Sequence, residues 1–415
     1  MRKYLLIVFF SANYFFGNAQ FQQYFGNLDT LQTQLNISSE NYFQSNFITG
    51  KIASDIVFSK FITEETKNSL LNRKGPYNHA LFEAKQQFGI QYRLKKNIAL
   101  GLTLEDRILG YGSFFDELVV LAVFGNRNFG EKTFRLKDSY FNLVRFQTLL
   151  PTFSYQLKNN HQLKVGVGFI IGQRLIQANT SNSNMYVSEF GDYIEMNVNG
   201  SFTTSDTSNT GFLTNNGNGV NIQLSYQIPF SFLEDENLKG KLEFFVKDLG
   251  FVSFNDRSLS FNQENEYYNY EGVQIPNLTN YPARIFQEQS PDTLLDDLLA
   301  QNSLVKPTFN LPFSVGVSHV QALSTKSIIN YGVVYRNMTN YRPMAFCYYQ
   351  NKINQWLALS GNFHFLGMGN FAVGGGLDLS WNGLTFSMNT ANLNGLIFKQ
   401  SQTGLGVFAN LKYSL

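Results

Sequence analysis

His364 falls on the same face of an alternating segment as Asn362 and Ser360, and a serine and a histidine sharing one strand face are the raw material of a hydrolase. Nothing in the sequence supplies the third group that would orient the imidazole and activate the serine, so His364 is expected to be a hydrogen-bonded histidine of an interior. Asp292, Asp296 and Asp297 form an acidic group that would suit a cation. They follow Ser290-Pro291, which reads as an N-cap with proline at the first helical position, and Leu294, Leu295, Leu298 and Leu299 complete a short amphipathic helix. Solvation of that helix accounts for the carboxylates. The four histidines are scattered and Cys347 is the only cysteine, which leaves no metal-ligand spacing and no intramolecular disulfide. The expectation is a protein without catalytic residues, metal or cofactor, and not an enzyme.

Composition says where such a chain could live. Charged residues are 15% of its 415 residues and aromatic residues 16%, whereas a typical soluble domain is about 25% charged. Yet beyond the first twenty residues no stretch approaches the ~18 apolar residues of a spanning helix, so a membrane protein of this sequence must span as strands. Residues 1–19 read as a signal peptide: Arg2 and Lys3 lead, Tyr4 to Phe10 are apolar, and Gly17-Asn18-Ala19 supplies the small-residue cleavage site. Without Arg2 and Lys3, thirty basic residues face thirty acidic ones, and no global charge attracts nucleic acid.

Period-two alternation recurs in segments of about ten residues, the length of a tilted strand crossing a bilayer. In the last segment Leu405, Val407, Ala409, Leu411, Tyr413 and Leu415 share one face, and Gly406, Phe408, Asn410, Lys412 and Ser414 the other. Similar segments run over 371–381, 356–365, 327–336, 313–320, 241–251, 220–228, 163–172 and 98–104, with a more polar version over 82–94. Short turns at 95–97, 158–160, 324–326, 351–352 and Asn382-Gly383 alternate with long loops over 175–218 and 253–311, as at the periplasmic and extracellular ends of a bacterial barrel. Residues 116–124 are a continuous apolar run that fits a loop helix or a buried strand. The fold expected is all-β: one antiparallel transmembrane barrel of about fourteen strands over 48–415, its first strand at 48–60, with residues 20–47 as an N-terminal plug. A soluble two-sheet sandwich also alternates, but its strands favour about five to six residues.

The barrel reading assigns faces. Lys164, Gln223, Glu243, Lys247, Asn330, Arg336, His364 and Asp378 alternate away from the lipid side and become candidate lumen-lining residues, because a charge facing lipid near mid-membrane costs about 2–4 kcal/mol. They would hold a plug and loops by hydrogen bonds or contact a permeating molecule. Gly166, Gly168, Gly316, Gly332, Gly374 and Gly376 on the same faces are expected to leave room for either.

On Leu104-Glu105-Asp106-Arg107 with the following 114–126 stretch, Asp248-Leu249-Gly250-Phe251, the Gly-rich 373–379 segment and the terminal 404–415 segment, the chain resembles outer-membrane barrels of Bacteroidota. Those barrels are related to FadL-type fatty-acid channels and to barrel accessory proteins of type IX secretion. The resemblance implies about fourteen strands, an N-terminal plug and a place in the cell outer membrane among its lipids. Two roles are expected from it and from the inner face: a channel or uptake porin for small, including hydrophobic, molecules, or a non-transporting partner among the subunits of a secretion or surface-assembly complex.

The terminal segment tests the faces. Leu411→Arg should impair membrane insertion, scored as loss of heat-modifiable migration in outer-membrane fractions, and Asn410→Arg should leave the protein assembled. Equal assembly of the two would overturn the register.

Overall fold

The computed structural model describes residues 32–49, 51–52, 63–72, 75, 77–124, 131–135, 139–189, 193–209, 211–235, 238–271, 303–369, 371–393, 397 and 403–414. In chain order the elements are β1 (Gln34–Ser45), α1 (Glu64–Leu71), β2 (Tyr77–Lys95), β3 (Ile98–Phe115), α2 (Asp116–Phe124), β4 (Lys132–Arg135), β5 (Ser139–Gln156), β6 (Gln162–Thr180) and β7 (Asn184–Val187). There follow β8 (Tyr193–Thr204), β9 (Gly217–Pro229), β10 (Gly240–Phe254), β11 (Ser258–Glu271), β12 (Ser303–Val305), β13 (Thr308–Asn310), β14 (Ser314–Ala322) and β15 (Ser327–Arg336). The chain ends with β16 (Arg342–Lys352), β17 (Leu357–Gly367), β18 (Phe371–Trp381), β19 (Leu384–Thr390) and β20 (Leu405–Ser414).

Among the described residues fourteen strands form an antiparallel ring in the order β1, β2, β3, β5, β6, β9, β10, β14, β15, β16, β17, β18, β19, β20. Pairing of β1 with β20, from Gln34 opposite Ser414 to Phe43 opposite Leu405, closes it. Closure is what a bilayer demands of strands, since an open edge would leave backbone donors and acceptors unpaired in hydrocarbon. Tight connections gather at one end. Asn382 and Gly383 join β18 to β19 with φ of +47° and +81°, the left-handed pair that a two-residue hairpin of this twist requires.

The ring is inside-out relative to a soluble protein. Outward positions carry exposed apolar side chains such as Leu102, Val167, Ile222 and Phe363, while inward positions bury Lys85, Arg107, Asn330 and Arg336. No helix of the described residues is long and apolar enough to cross a membrane. The apolar outer belt is of the kind that the lipid-facing wall of a transmembrane barrel carries. In β20, Leu411 is 39% exposed on the outside and Asn410 7% on the inside. Asn410 is so enclosed that an arginine there would overpack, and the better inward control for Leu411→Arg is Gln223, half-buried on the inner face of β9.

Several expectations need correction. The plug expected over 20–47 does not hold for residues 34–45, which are β1 itself; residues 20–31 lie outside the described residues. The pattern of β1 was masked because Ser39 and Asn41 interrupt the apolar face begun by Leu35 and Ile37. A first strand at 48–60 is not found: Lys51 and Ile52 are helical, and 53–60 lie outside the described residues. The stretch 175–218 is not a plain loop, since β6 continues to Thr180 and β8 pairs on it, and 253–311 contributes β11, β12 and β13. Together β4, β7, β8, β11 and β12 make a small sheet beyond the ring, with Phe134, Met185 and Val187 as its own buried cluster. Residues 116–124 form α2, with Asp116 and Glu117 at the positive end of its dipole and Val119 packed on Phe47 and Ile52. The 290–299 helix and the signal peptide lie outside the described residues.

Candidate functional site

Inside the ring the charged side chains form one connected system. Glu83 of β2 binds Arg107 of the adjacent β3 at 2.5 Å and Arg336 of β15 at 2.6 Å, and Arg336 grips it through both guanidinium nitrogens. Arg107 also reaches Asp248 of β10 at 2.8 Å and lies over the ring of Phe146. Beside them Lys85 pairs with Glu40 of β1 at 2.8 Å, and Gln87 donates to Glu105 at 2.7 Å. All of the charged members are buried. The arginines are suited to this place because their planar forks satisfy several carboxylate oxygens at once.

Local irregularity supplies Asp248. Register between β10 and β9 shifts between Val246 and Leu249, so Lys247 and Asp248 together face Gln223. This is a β-bulge, and Asp248 has φ +60°, a conformation that aspartate tolerates better than most residues. Both side chains consequently enter the lumen, where strict alternation would have sent Asp248 to the lipid.

The same contacts describe the shape of the ring. From β2 to β15 is seven strands in either direction, so Glu83 and Arg336 come from opposite sides and still touch. A ring of fourteen is much wider than the roughly eight strands whose side chains just fill their interior. The wall is therefore flattened along the line from β2 to β15, and the lumen is divided into two lobes. Toward the long-loop end wall side chains close it further: Leu81, Leu109, Phe146, Leu175, Phe254 and Met344 are buried in one apolar cluster. The 337–341 connection folds across the same mouth, with Met338 and Tyr341 buried, Asn340 donating to Ser113 and the Thr339 carbonyl accepting from Tyr140.

The residues expected to line the lumen fall into the two lobes. Lys164, Gln223 and Lys247 line a cavity of about 230 Å³ toward the short-turn end, with Arg107, Glu105 and Asp248 at its inner limit and Gln87, Gln91 and Thr152 around it. Glu243, on the same face of β10, accepts from Ser225, and Lys247 lies 5.0 Å from the centre of the Phe245 ring. Arg336 belongs to the bridge. In the second lobe His364 meets Gln44 at 3.3 Å, Gln350 donates to Asp378, Ser360 donates to Asn389 at 2.8 Å, and Asn330 is buried on β15. Ser360 and His364 thus have separate partners and make no dyad. No group of three His, Cys, Asp or Glu suited to a metal occurs among the described residues.

The inward glycines do not leave a path. Side chains of neighbouring strands occupy the space above them: Asn221 over Gly168, Phe245 over Gly316, Asn362 over Gly374 and Asn389 over Gly376. Residues that sequence reasoning missed, Glu40, Glu83, Lys85, Glu105 and Arg107, carried a usable signal. Phe88, Ile90, Tyr92 and Leu94 occupy the lipid face of β2, which obliges Lys85 and Glu83 to face inward. Asp248 had no such signal, because only the bulge brings it in.

Removing one partner from a buried ion group leaves a charge without compensation and costs about 3–5 kcal/mol, whereas a half-exposed pair is worth about 0–1 kcal/mol. Glu83→Gln should therefore lower the denaturant midpoint of the folded, heat-modifiable form far more than Asp106→Asn, which breaks the outer-face pair with Arg145. Equal midpoints would show that the bridge does not hold the barrel.

Among solved structures the chain is similar to a FadL homologue of Pseudomonas aeruginosa (9% identity over 92% of this chain and 90% of that one, TM-score 0.44). It is also similar to the toluene transporter TodX of P. putida (8%, 92% and 89%, 0.40) and to the translocator domain of the autotransporter NalP from Neisseria meningitidis (6%, 94% and 90%, 0.38). No curated protein sequence matches it. The model of the family of unknown function DUF5723 matches residues 17–390, and the chain belongs to that family.

Proposed function

We propose that this protein is an outer-membrane barrel whose interior is a structural core and not a diffusion path, and that it serves as a non-transporting partner in an assembly at the cell surface. The single observation that carries this reading is the contact of Arg336 with Glu83 across the ring. A passive pore needs a continuous wet path, whereas here wall side chains meet directly, the mouth is filled by an apolar cluster, and the glycine faces are occupied. What such a barrel offers instead is its long-loop end, where β4, β7, β8, β11 and β12 extend the wall beyond the ring, joined to it by the pairing of β8 with β6.

A second reading, an uptake channel held shut, is favoured by the cavity of about 230 Å³ toward the short-turn end, a polar vestibule that stops at Arg107 and Asp248. The two differ in what the pure protein does. Reconstituted in planar bilayers and in liposomes, the wild-type protein should give no steady conductance and no swelling with small sugars. Sustained conductance by the wild type would overturn the sealed-barrel reading in favour of the channel.

A further inference from the structure

Among the described residues the outer wall carries a polar row at the upper edge of its apolar belt. Ser39, Gln86, Asp106 and Gln147 are Cα partners in sequence across β1, β2, β3 and β5, and all lie on outward positions. One ladder step toward the short-turn end, the outward residues are Ile37, Phe88, Leu104, Leu149 and Phe169, all exposed and apolar. One step toward the long-loop end, Arg145 of β5 faces Arg174 of β6. Like charges directly opposite one another on a sheet repel, and an anion shared between two facing arginines relieves that repulsion.

The surroundings hold the Arg145 guanidinium beside the Arg174 position. Register between β5 and β6 shifts next to Arg145, so the strand opposite carries an extra residue, and this bulge sets Gln173 and Arg174 beside it. The loop after β8 lies against the same spot: the Phe212 carbonyl accepts from Gln147 and Gln173, and the Phe212 ring stacks 5.7 Å from the Arg145 guanidinium. Asp106 neutralises Arg145 at 3.1 Å, but Arg174 is exposed and has no ion-pair partner among the described residues. One net positive charge remains on the wall.

Height decides what meets it. Arg145 stands eleven residues from the short-turn end of β5 at Gln156, and Arg174 twelve from that of β6 at Gln162. At about 3.3 Å per residue and a tilt of about 40°, that is roughly 25–30 Å, just beyond an apolar band about 25 Å tall. The pair therefore lies at the level of the outer headgroups.

We propose that Arg145 and Arg174 bind a phosphate monoester of the outer-leaflet lipid, the phosphorylated headgroup of lipid A, with Gln147 and Gln173 holding the Phe212 loop beside it. The proposal rests on the outer-membrane reading given above. Arginine forks match phosphate oxygens in pairs, and the acyl chains of the same molecule would run down the exposed Leu149 and Phe169 surface. Asp106 competes with the phosphate for Arg145, so it tunes the site and does not create it.

The test uses the full mature protein extracted in mild detergent, with bound lipid A read by native mass spectrometry. Wild type should retain lipid A, and Arg145→Gln with Arg174→Gln should reduce retention at least about tenfold, the scale of one lost charge-assisted contact. Asp106→Asn should retain as much or more, which separates a charge effect from damage to the wall. Lipid A stripped of its phosphates should bind wild type no better than intact lipid A binds the double variant. Inorganic phosphate that displaces the lipid at millimolar concentration, with lipid A binding no tighter than the free ion, would overturn the lipid as the source. Failure of the wild type to appear as a heat-modifiable band in the outer-membrane fraction would fault the outer-membrane reading itself. A correctly inserted protein whose lipid A retention is the same in wild type and double variant would overturn the phosphate site alone.

Discussion

Glu83 is held by one arginine from the neighbouring strand and one from the far side of the ring, and the rest of the interior is arranged around that carboxylate. A buried charge survives only where opposite charges and donors surround it. Satisfying Glu83 brings Arg107 and Arg336 together, which in turn requires a second carboxylate, and the bulge at Asp248 provides it. The flattening of the ring is the geometric consequence, because side chains from strands seven apart cannot meet across a round wall of this size. The two lobes, the cavity near Lys164 and Lys247 and the amide cluster near His364, are what flattening leaves on either side.

Ring height is uneven, and the bilayer explains why it can be. β14 to β20 are mostly 9 to 11 residues long, close to the span of the membrane, while β2, β3, β5 and β6 have 18 or 19. The long strands continue past the headgroups and carry the outer sheet on β6 through β8. On that side the outward row Ser39, Gln86, Asp106 and Gln147 is polar, at the upper edge of the apolar belt. The interior changes in step. On β2 and β3 the charged residues give way toward the long-loop end to Leu81 and Leu109, so the apolar cluster that shuts the barrel sits above the ionic one.

Alternation made the spanning strands legible wherever the lipid face was unbroken. Ser327–Arg336 is a strand over the residues that its pattern marks, and the Asn382-Gly383 turn joins the strands that it separates in sequence. β1 was hidden because polar Ser39 and Asn41 share its outer face with Leu35 and Ile37 near the headgroup level. β5 was not picked out, because Pro151 and the outward Arg145 and Gln147 break the apolar alternation of its outer face. Of the interior, parity alone could have placed Lys85, Glu83, Glu105 and Arg107. The pairing of Glu83 with Arg336 could not be read, since 253 residues separate them and nothing local announces the contact. The same holds for Asp248, whose inward direction depends on a left-handed backbone at a single residue.

An ionic interior is a poor way to gain stability, because packed apolar side chains of the same volume often do as well or better. Its value lies in specifying the faces. A barrel apolar on both sides would have no preferred register, since slipping one strand by a single residue would exchange one apolar face for another. With Lys85 on β2 and Arg107 on β3, the same slip carries a cation to the hydrocarbon at about 2–4 kcal/mol each and abandons Glu40 and Asp248 inside. Because Lys85 and Arg107 are themselves Cα partners, an error in either strand exposes the other strand to the same penalty. The charges that close the lumen at β2, β3, β10 and β15 are therefore also charges that fix which side of each strand meets lipid.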